Sequence, residues 1–337
     1  MWYCDKECQK QDWKLGHRFK ECDLLKCDSI INFECDQEFK PRILIRFALR
    51  AKLDPIANKL WFKLYDNRIR KLENVMSHTD ELRKSQGHEL EFVRNLFQAI
   101  KKSSINEFTE DFLIEKYSQI FTNAFAIIDE KSETNEEVAC GLYISASCFD
   151  HSCRPTASRV FDGTKLQVRA LASMDTDHEQ PTICYIDTIQ DRDSRRAILR
   201  TAWCFECECP KCSKHTDANF DYVKYKEVDA RAMESTDLTY IRSAVILTRE
   251  LFGDYHPRIT AHMNNLFCAE IANMPDAPLT SDTIKKWADR VKTIERQFEM
   301  SINVTHGRSS PLYKMFLDFK QMAYNQLLQT KAIDLFK

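Results

Sequence analysis

Long apolar runs are missing from this sequence, and so is an excess of charge of one sign. No stretch of about eighteen apolar residues occurs, so a membrane-spanning helix is not expected. Residues 1–5 (MWYCD) do not read as the start of a secretory signal peptide. The 49 basic and 51 acidic residues give a formal net charge of -2 and a pI near 6.5. Because a basic surface is the usual mark of nucleic-acid binding, a DNA-binding zinc finger is disfavoured.

Glycine is also scarce, at six in 337 residues, and the rest of the composition is that of a globular protein. The chain is 43% hydrophobic and 30% charged, which suits a folded core, and its length suits two or three domains. Since no signal peptide is evident, the cysteines are expected to face the reducing cytosol or nucleus. In those compartments, tight cysteine clusters bind metal more often than they form disulfides.

The stretch AWCFECECPKC, residues 202–212, holds four of the 14 cysteines. Three of them follow the spacing C-x-C-x2-C: Cys207, Cys209 and Cys212. Three thiolates on so short a loop can converge on one tetrahedral zinc at about 2.3 Å each. The fourth ligand must come from elsewhere, either from neighbouring Cys204 or from Cys153 in DHSCRP if the fold brings it near. The alternative is a group of ordinary buried thiols.

Residues 1–22 hold a second group of metal-type side chains: Cys4, Cys8, His17 and Cys22. The pairs Cys4-x3-Cys8 and His17-x4-Cys22 could close one zinc site by themselves. They also look like half of a two-zinc module, in which each pair needs a partner pair upstream. We expect the segment to share one zinc or bind none. We also expect it to be loosely ordered, since chain ends that are not tied down are usually mobile.

The periodicity predicts helices on either side of a short β region. Residues 41–135 are expected to be mostly helical, with a helix start at residues 77–81 (SHTDE). Residues 156–171 (TASRVFDGTKLQVRAL) predict two strands joined at Asp162-Gly163, and PTICYID predicts another strand. From residue 218 onward, apolar stripes predict helical hairpins of tetratricopeptide-like pairing, broken at Gly253 and Gly307. The clearest stripe is Ile284, Trp287, Val291, Ile294 and Phe298.

Four motifs, in order along the chain, resemble the SET and MYND domain (SMYD) family of protein lysine methyltransferases. YCDKECQKQDW, with the later histidine and EC, is similar to the second half of a MYND finger. GLYISASCFDHSCRPT is similar to the SET stretch that ends in Asn-His-Ser-Cys-x-Pro-Asn. TICYID is similar to the strand of the catalytic tyrosine, and CFECECPKC to the post-SET zinc loop. The residues that follow, with FGDYHP and VTHGRSSPL, resemble the helical C-terminal domain of the family.

The resemblance implies which cysteines share a zinc. In the family, the post-SET cysteines and the cysteine of the His-Ser-Cys motif bind one ion, and the implied ligands here are Cys153, Cys207, Cys209 and Cys212. This zinc would staple the post-SET loop over the active site. The resemblance leaves Cys204 as a buried small apolar residue.

The resemblance also implies a lysine channel and a site for S-adenosylmethionine. Tyr185 corresponds to the catalytic tyrosine, whose hydroxyl orients the amine and the methyl group, and Phe125 corresponds to an aromatic residue of the lysine channel. The implied cofactor contacts are His78, Asn123, Asp150, His151, Tyr185 and Phe205. The alternatives are a core strand tyrosine for Tyr185 and a surface helix residue for His78.

The sequence departs from the family pattern at several positions. Asp150 replaces an asparagine, which keeps an acceptor, loses the amide donor and adds a charge. Thr156 replaces the asparagine that ends the motif, and residues 178–180 (HEQ) stand where the family has Gly-Glu-Glu. No Gly-x-Gly cofactor motif occurs, and the match begins inside the finger. We therefore expect a truncated member that binds the cofactor poorly and is inactive or nearly so.

Together these features predict an α+β chain with a SET-type β-fold, a zinc-bound post-SET loop and an all-helical, tetratricopeptide-like C-terminal domain. The predicted divisions are a partial MYND finger (1–22), a helical SET insertion region (23–105), the core SET fold (106–188), the post-SET zinc loop (189–216) and the helical domain (217–337). The expected function is S-adenosylmethionine-dependent methyl transfer to a lysine of a histone or another protein, in nucleus and cytoplasm. The alternative is a non-catalytic, zinc-stapled adaptor that binds proteins through the finger remnant and the helical domain.

Overall fold

The computed structural model describes residues 5–31, 39–85, 87–103, 108–128, 137–174, 180–273 and 281–329, which divide between two compact units. The N-terminal unit comprises Met1–Ile127, Glu137–Cys148 and Thr201–Cys204. The C-terminal unit comprises Ile128–Glu136, Phe149–Arg200 and Phe205–Lys337. The fold is α+β with a helical C-terminal region, as predicted. Of the helices described, none has the length and apolarity that crossing a membrane requires.

The N-terminal unit is mainly helical. Its helices are α1 (Lys6–Asp12), α2 (Cys22–Leu25), α3 (Asp28–Ile31), α4 (Phe39–Leu53), α5 (Thr79–Ser85), α6 (His88–Lys101) and α7 (Glu110–Asn123). Its strands pair as β1 (Trp61–Lys63) with β2 (Ile69–Lys71) and β3 (Ala124–Ile128) with β4 (Glu137–Leu142). The mostly helical character predicted for residues 41–135 holds for α4 to α7, but residues 124–128 form β3 and residues 129–135 lie outside the described residues. The predicted helix start falls at α5. The β1–β2 hairpin was not expected, because its strands have only three residues each.

Amphipathic spacing explains how these helices build their core. Val93, Leu96 and Ile100 of α6 are buried on one face, three and four residues apart. Helix α7 begins at Thr109, whose hydroxyl accepts a hydrogen bond from the Phe112 amide at 3.2 Å. The buried faces of α4, α6 and α7 join one hydrophobic cluster, which fixes the end of α7 and the start of β3.

The C-terminal unit combines short strands with seven helices in its described part. The strands are β5 (Asp150–His151), β6 (Ala157–Asp162), β7 (Lys165–Ala170) and β8 (Thr182–Ile183). The helices are α8 (Arg192–Trp203), α9 (Pro210–Ser213), α10 (Tyr222–Glu234), α11 (Leu238–Phe252), α12 (Pro257–Ala272), α13 (Ser281–Thr305) and α14 (Pro311–Gln329). Strand β5 pairs with β8 in parallel, and β6 pairs with β7 antiparallel.

The predicted β6–β7 hairpin is confirmed with one correction to its turn. Asp162 pairs with Lys165, so the two central residues are Gly163 and Thr164 rather than Asp162 and Gly163. Gly163 has a φ of 58°, a left-handed conformation that a glycine adopts at little cost.

The predicted apolar stripes form the core of the helical region. Trp287 and Phe298 of α13 have no solvent exposure, and Phe298 contacts Phe316 of α14 with ring centroids 4.8 Å apart. A further stripe predicted from the sequence, of Leu312, Met315, Phe316, Phe319 and Met322 on α14, holds only in part, because Met315 and Met322 are 45% and 68% exposed.

The β6–β7 hairpin is tied to the end of α13. Arg169 donates hydrogen bonds to the carbonyls of Asn303 (3.0 Å) and Val304 (3.3 Å). Gly307 has a φ of 85°, and a Cβ there would stand 2.5 Å from the Arg169 guanidinium. This glycine therefore both ends the helix and leaves room for the arginine that binds the hairpin.

Candidate zinc and methyl-transfer site

Four cysteine thiols converge in the C-terminal unit: Cys153, Cys207, Cys209 and Cys212. Their Sγ atoms all lie within 4.8 Å of one another. The Cys153 Sγ is 3.9 Å from that of Cys207 and 3.5 Å from that of Cys212. In a tetrahedral site with zinc–sulfur bonds of about 2.3 Å, the sulfur atoms stand about 3.8 Å apart. The spacing and the all-thiol donor set therefore fit one closed zinc site.

Local structure holds these thiols in place. Cys153 follows β5 and is fully buried, while the amide of Ser152 before it donates to the Ile183 carbonyl at 2.9 Å. Cys209 stands directly before α9, whose first residue is Pro210. Proline suits the first turn of a helix because no intrahelical partner exists there for its missing N–H. The turn closes with the Cys212 amide donating to the Cys209 carbonyl at 2.9 Å.

Cys204 is outside this thiol group. It is half-buried rather than buried, has a φ of 59°, and falls in the N-terminal unit. Burial raises the pKa of its thiol, so it is protonated at neutral pH. Of the two candidates for the fourth thiol, Cys153 is the one that lies against Cys207 and Cys212.

Three buried charged side chains lie near the thiols: Arg195 of α8, Lys211 of α9 and Asp217, which precedes α10. Arg195 has no solvent exposure and donates to the Cys212 Sγ (3.7 Å), to an oxygen of Asp217 (2.7 Å) and to the Tyr222 hydroxyl (2.9 Å). The Lys211 Nζ is 3.5 Å from the same Asp217 carboxylate and is also buried. Burial alone would lower the pKa of Arg195, but its bonds to Asp217 and Cys212 keep it raised and the guanidinium charged. No local pattern in the sequence predicts this network, because its partners stand up to 27 residues apart.

Tyr185 lies two residues after the end of β8. Its hydroxyl donates to the Phe149 carbonyl at 2.5 Å, and its backbone amide donates to the Nδ1 of His151 at 3.1 Å. The His151 ring is 5.4 Å from the Tyr185 ring and 6.1 Å from the Phe205 ring, centroid to centroid. These three aromatic side chains, all singled out from the sequence, form one cluster.

The protonation of His151 follows from its contacts. Burial lowers the pKa of His151 to about 4, so its ring is neutral at pH 7. Because Nδ1 accepts the Tyr185 amide, the single ring proton is on Nε2. Nε2 is 3.3 Å from the Cys153 Sγ and donates to it. His151 therefore links the backbone of Tyr185 to Cys153 of the thiol group.

Asp150 lies at the start of β5, paired with Thr182 of β8. Its Oδ2 accepts a hydrogen bond from the side-chain Nε2 of Gln180 at 2.9 Å. The carboxylate that replaces the family asparagine thus has a donor beside it. His178 and Glu179, the other two residues of the departing HEQ triplet, lie outside the described residues.

The other sequence-predicted site residues belong to the N-terminal unit. Asn123 ends α7, and its amide nitrogen donates to the carbonyls of Met76 (2.7 Å) and Gln119 (2.8 Å). With both N–H groups used, Asn123 can offer a ligand only its carbonyl oxygen. Phe125 is buried in β3 and meets the Tyr143 ring edge-on, with centroids 5.8 Å apart.

His78 stands just before α5. Its backbone amide donates to the Ser118 hydroxyl at 2.7 Å, and its Nδ1 is 3.9 Å from the Glu81 carboxylate. The contact with α7 therefore goes through the main chain of His78. Its side chain is one-quarter exposed.

The predicted ligands of the N-terminal segment do not form a comparable group. Cys4 lies outside the described residues. Across the ranges that the structure describes, Cys8, His17 and Cys22 are not gathered into a three-ligand set. The His17 Nδ1 is instead 3.1 Å from the carboxylate of Glu21.

Residues 5–22 are largely helical, with non-helical backbone at Gly16, Phe19 and Lys20, and they are anchored, so the expectation of a loosely ordered segment is wrong for them. Glu21 is fully buried and accepts from the Nε atoms of Arg42 (3.1 Å) and Arg46 (2.9 Å) of α4. Arg46 also donates to Asp12 at 2.6 Å. Two carboxylates and two guanidinium groups thus tie the segment to α4.

No family model matches the chain, but curated proteins do. It is 31% identical over 235 residues to mouse histone-lysine N-methyltransferase SMYD3, covering 67% of this chain and 51% of that protein. It is 30% identical over 213 residues to Arabidopsis thaliana histone-lysine N-methyltransferase ASHR1, covering 63% of this chain and 42% of that protein. It is 27% identical over 224 residues to rat N-lysine methyltransferase SMYD2, covering 63% of this chain and 45% of that protein.

The relatives named for their activity are all lysine methyltransferases. The chain belongs to the SMYD family, and the resemblance inferred from its motifs is confirmed. It spans about half the length of the curated relatives it matches.

Proposed function

We propose that this chain carries the zinc-stapled half of an S-adenosylmethionine-dependent protein-lysine methyltransferase. The observation that carries the proposal is the aromatic cluster of His151, Tyr185 and Phe205 against four convergent thiols. The methyltransferase names of its relatives support the same reaction. The acceptor would be a lysine of a histone or another protein, met in the nucleus or the cytoplasm.

The domain assignment belongs to the same proposal. Residues 1–22 would be the remnant of a MYND finger, 23–105 a helical insertion and 106–188 the core of a SET fold. Residues 189–216 would be the post-SET loop, closed by zinc, and 217–337 a tetratricopeptide-like domain. The confirmed β6–β7 hairpin and the paired helices α10 to α13 support these divisions.

We propose that Cys153, Cys207, Cys209 and Cys212 hold one zinc. The ion would join β5, where Cys153 lies, to the loop that carries Phe205 and α9. Because metal-binding free energy is folding free energy at such a site, this loop would depend on zinc for its structure. For residues 1–22 both alternatives stay open: Cys4, Cys8, His17 and Cys22 would share one zinc or bind none.

For the cofactor, the described residues offer acceptors and aromatic faces. S-adenosylmethionine would supply a methyl group bound to a sulfonium sulfur, and the sulfur leaves readily as a neutral thioether. Asp150 and the carbonyl oxygen of Asn123 are acceptors of the kind that an ammonium group requires. His151 and Phe205 would contribute the ring surface, and His78 a further contact.

The role proposed for Tyr185 is orientation. Its hydroxyl is already directed by the Phe149 carbonyl, and a hydroxyl so held can aim the amine and the methyl group in line. A cleft of about 890 Å3 in the same unit is lined by Cys184, Asp187 and Ile189, on both sides of Tyr185 in sequence. The substrate segment would lie in this cleft. The family resemblance supports a separate role for Phe125, as an aromatic residue of a lysine channel.

The test compares Tyr185→Phe with Tyr313→Phe, a control that removes a hydroxyl bound to Glu299 in the helical core. Methyl transfer from labelled S-adenosylmethionine to histones should fall about 100-fold in Tyr185→Phe, the effect of losing one positioned polar group. The control should keep its activity, and both should melt near the unchanged protein. Equal activity of the two variants would remove Tyr185 from the reaction. A folded, zinc-loaded protein that does not bind S-adenosylmethionine would instead favour the adaptor.

A further inference from the structure

The thiol group has a buried cation of its own. Arg195 projects from α8, and one guanidinium nitrogen donates to the Cys212 Sγ at 3.7 Å. Another nitrogen is held by Asp217 at 2.7 Å and by the Tyr222 hydroxyl at 2.9 Å. The side chain has no solvent exposure, and the nitrogen held by Asp217 also donates to the Gln190 carbonyl, whereas the Nε has no partner among the described residues.

Charge balance explains why a cation belongs there. A zinc ion with four thiolates carries a net charge of about -2. Burying such a charge without compensation is costly, and the same holds for a buried guanidinium. Arg195 and Lys211 bring two positive charges and Asp217 one negative charge, so the three together offset one unit of the site's charge.

The orientation of the guanidinium indicates more than a structural ion pair. An arginine that served only Asp217 could direct its fork at both carboxylate oxygens, as arginine commonly does. Here Asp217 receives one nitrogen of Arg195 at its Oδ2, and the other terminal nitrogen is directed at the Cys212 sulfur. A donor directed at a thiolate lowers the electron density on that sulfur and stabilises the ionised form.

We propose that Arg195 is a positioning residue of the zinc site, which stabilises the Cys212 thiolate by a direct N–H···S hydrogen bond and is itself oriented by Asp217 and Tyr222. The proposal rests on the zinc site proposed above. Partners of metal ligands that act in this way typically change metal affinity by about 10- to 100-fold when they are removed.

The experiment measures zinc affinity by competition with a chromophoric chelator, using the full chain. Arg195→Met should bind zinc about 10- to 100-fold more weakly than the unchanged protein. Arg195→Lys keeps the charge but not the planar fork, and it should restore part of the affinity. The control is Arg200→Met, on the same helix, which removes an arginine with a side chain 64% exposed. The control should stay within about twofold of the unchanged protein.

Tyr222→Phe is a milder second variant, which tests the proposal even if Arg195→Met does not fold. It removes one partner of Arg195 and no charge, and its zinc affinity should also fall, by less than that of Arg195→Met. With cobalt in place of zinc, the sulfur-to-metal charge-transfer band should shift in Tyr222→Phe and Arg195→Lys. A purely structural ion pair would leave that band unmoved.

The outcomes separate this proposal from the zinc site itself. Loss of affinity in Arg195→Met with partial rescue by lysine and a shifted cobalt band supports the thiolate contact. Unchanged affinity and an unchanged band in both Arg195→Lys and Tyr222→Phe, with zinc still bound, would overturn it. If the unchanged protein held no zinc at all, the zinc proposal would fail, and this inference with it.

Discussion

The buried carboxylate of Asp229 in α10 should be a principal source of stability for the helical region. Arg258 donates to it with two nitrogens, one at 2.7 Å, and the His262 Nε2 lies 2.9 Å from the same carboxylate. Arg258 and His262 both belong to α12, so Asp229 fastens α10 to α12. Changing Asp229 to asparagine keeps the shape and removes the charge, so Arg258 and His262 meet one neutral acceptor oxygen and an NH2 group in place of a carboxylate.

The magnitude follows from burial. Losing one partner of a fully buried ion pair costs about 3–5 kcal/mol. The side chain of Asp229 is 11% exposed and that of Arg258 is 29% exposed, so the freed guanidinium can reach water in part. We therefore expect Asp229→Asn to lower the free energy of unfolding by about 2–4 kcal/mol at pH 7. Asp254→Asn is the control, since its side chain is 82% exposed and its arginine contact is long, at 4.0 Å.

The pH dependence gives a second test of the same contact. Burial alone would raise the pKa of Asp229, but hydrogen bonds from His262 and Arg258 hold it at about 2, below its ordinary 3.8. A lowered carboxyl pKa contributes stability that is fully present above 3.8 and is lost as the pH falls towards 2. The stability difference between the unchanged protein and Asp229→Asn should therefore shrink between pH 5 and pH 2.

Urea unfolding, followed by circular dichroism at several pH values, measures both quantities. The reasoning would be refuted by an Asp229→Asn variant that unfolds within about 0.5 kcal/mol of the control at pH 7. A difference that stayed constant from pH 5 to pH 2 would mean that the ionised carboxylate is not what matters.

Two further predictions concern the metal and the core. Cys209→Ser should lose most of the bound zinc and melt earlier, because one of four thiolates is gone, whereas Cys204→Ser, outside the group, should keep its zinc by metal analysis. Equal zinc in both would contradict the ligand set. Phe298→Ala should cost about 3–5 kcal/mol in urea unfolding, because the ring is fully buried against α14. Met300→Ala, on the same helix but 58% exposed, should cost little, and a similar loss in both would speak against the packing described.

The elements that the sequence predicted well are those set by local spacing. The β6–β7 hairpin was legible because a glycine stands between two alternating runs, and α13 because its apolar residues recur every three or four positions. The C-x-C-x2-C spacing likewise brings three thiols together within one turn of chain. In each case the interacting residues are close in sequence, so their spacing along the chain is enough to predict their arrangement in space.

The residues that the sequence did not predict are those whose partners lie far away along the chain. Nothing local distinguishes Glu21, which is fully buried between two arginines of α4, from the many exposed glutamates of the chain. Arg195 belongs to an arginine-rich helix, DSRRAILR, in which Arg196 is half-buried and Arg200 is exposed. The only sequence signal was its position four residues before the buried Leu199, on the same helix face. Such residues are found only when tertiary packing brings in their partners.

The thiol group and Tyr185 are physically one assembly, and this bears on how zinc would support the proposed reaction. The β5–β8 pair places His151 between the two, with Nδ1 accepting from the Tyr185 amide and Nε2 donating to Cys153. A histidine whose two nitrogens are both engaged has its ring orientation fixed, and its neutral state suits a donor to a thiolate. Zinc bound to Cys153 would hold that sulfur ionised, which strengthens the Nε2 contact and through it the position of the tyrosine backbone. The metal would then support the proposed methyl transfer through geometry alone: it would fix the strand end from which the Tyr185 hydroxyl is aimed, without touching the reacting atoms.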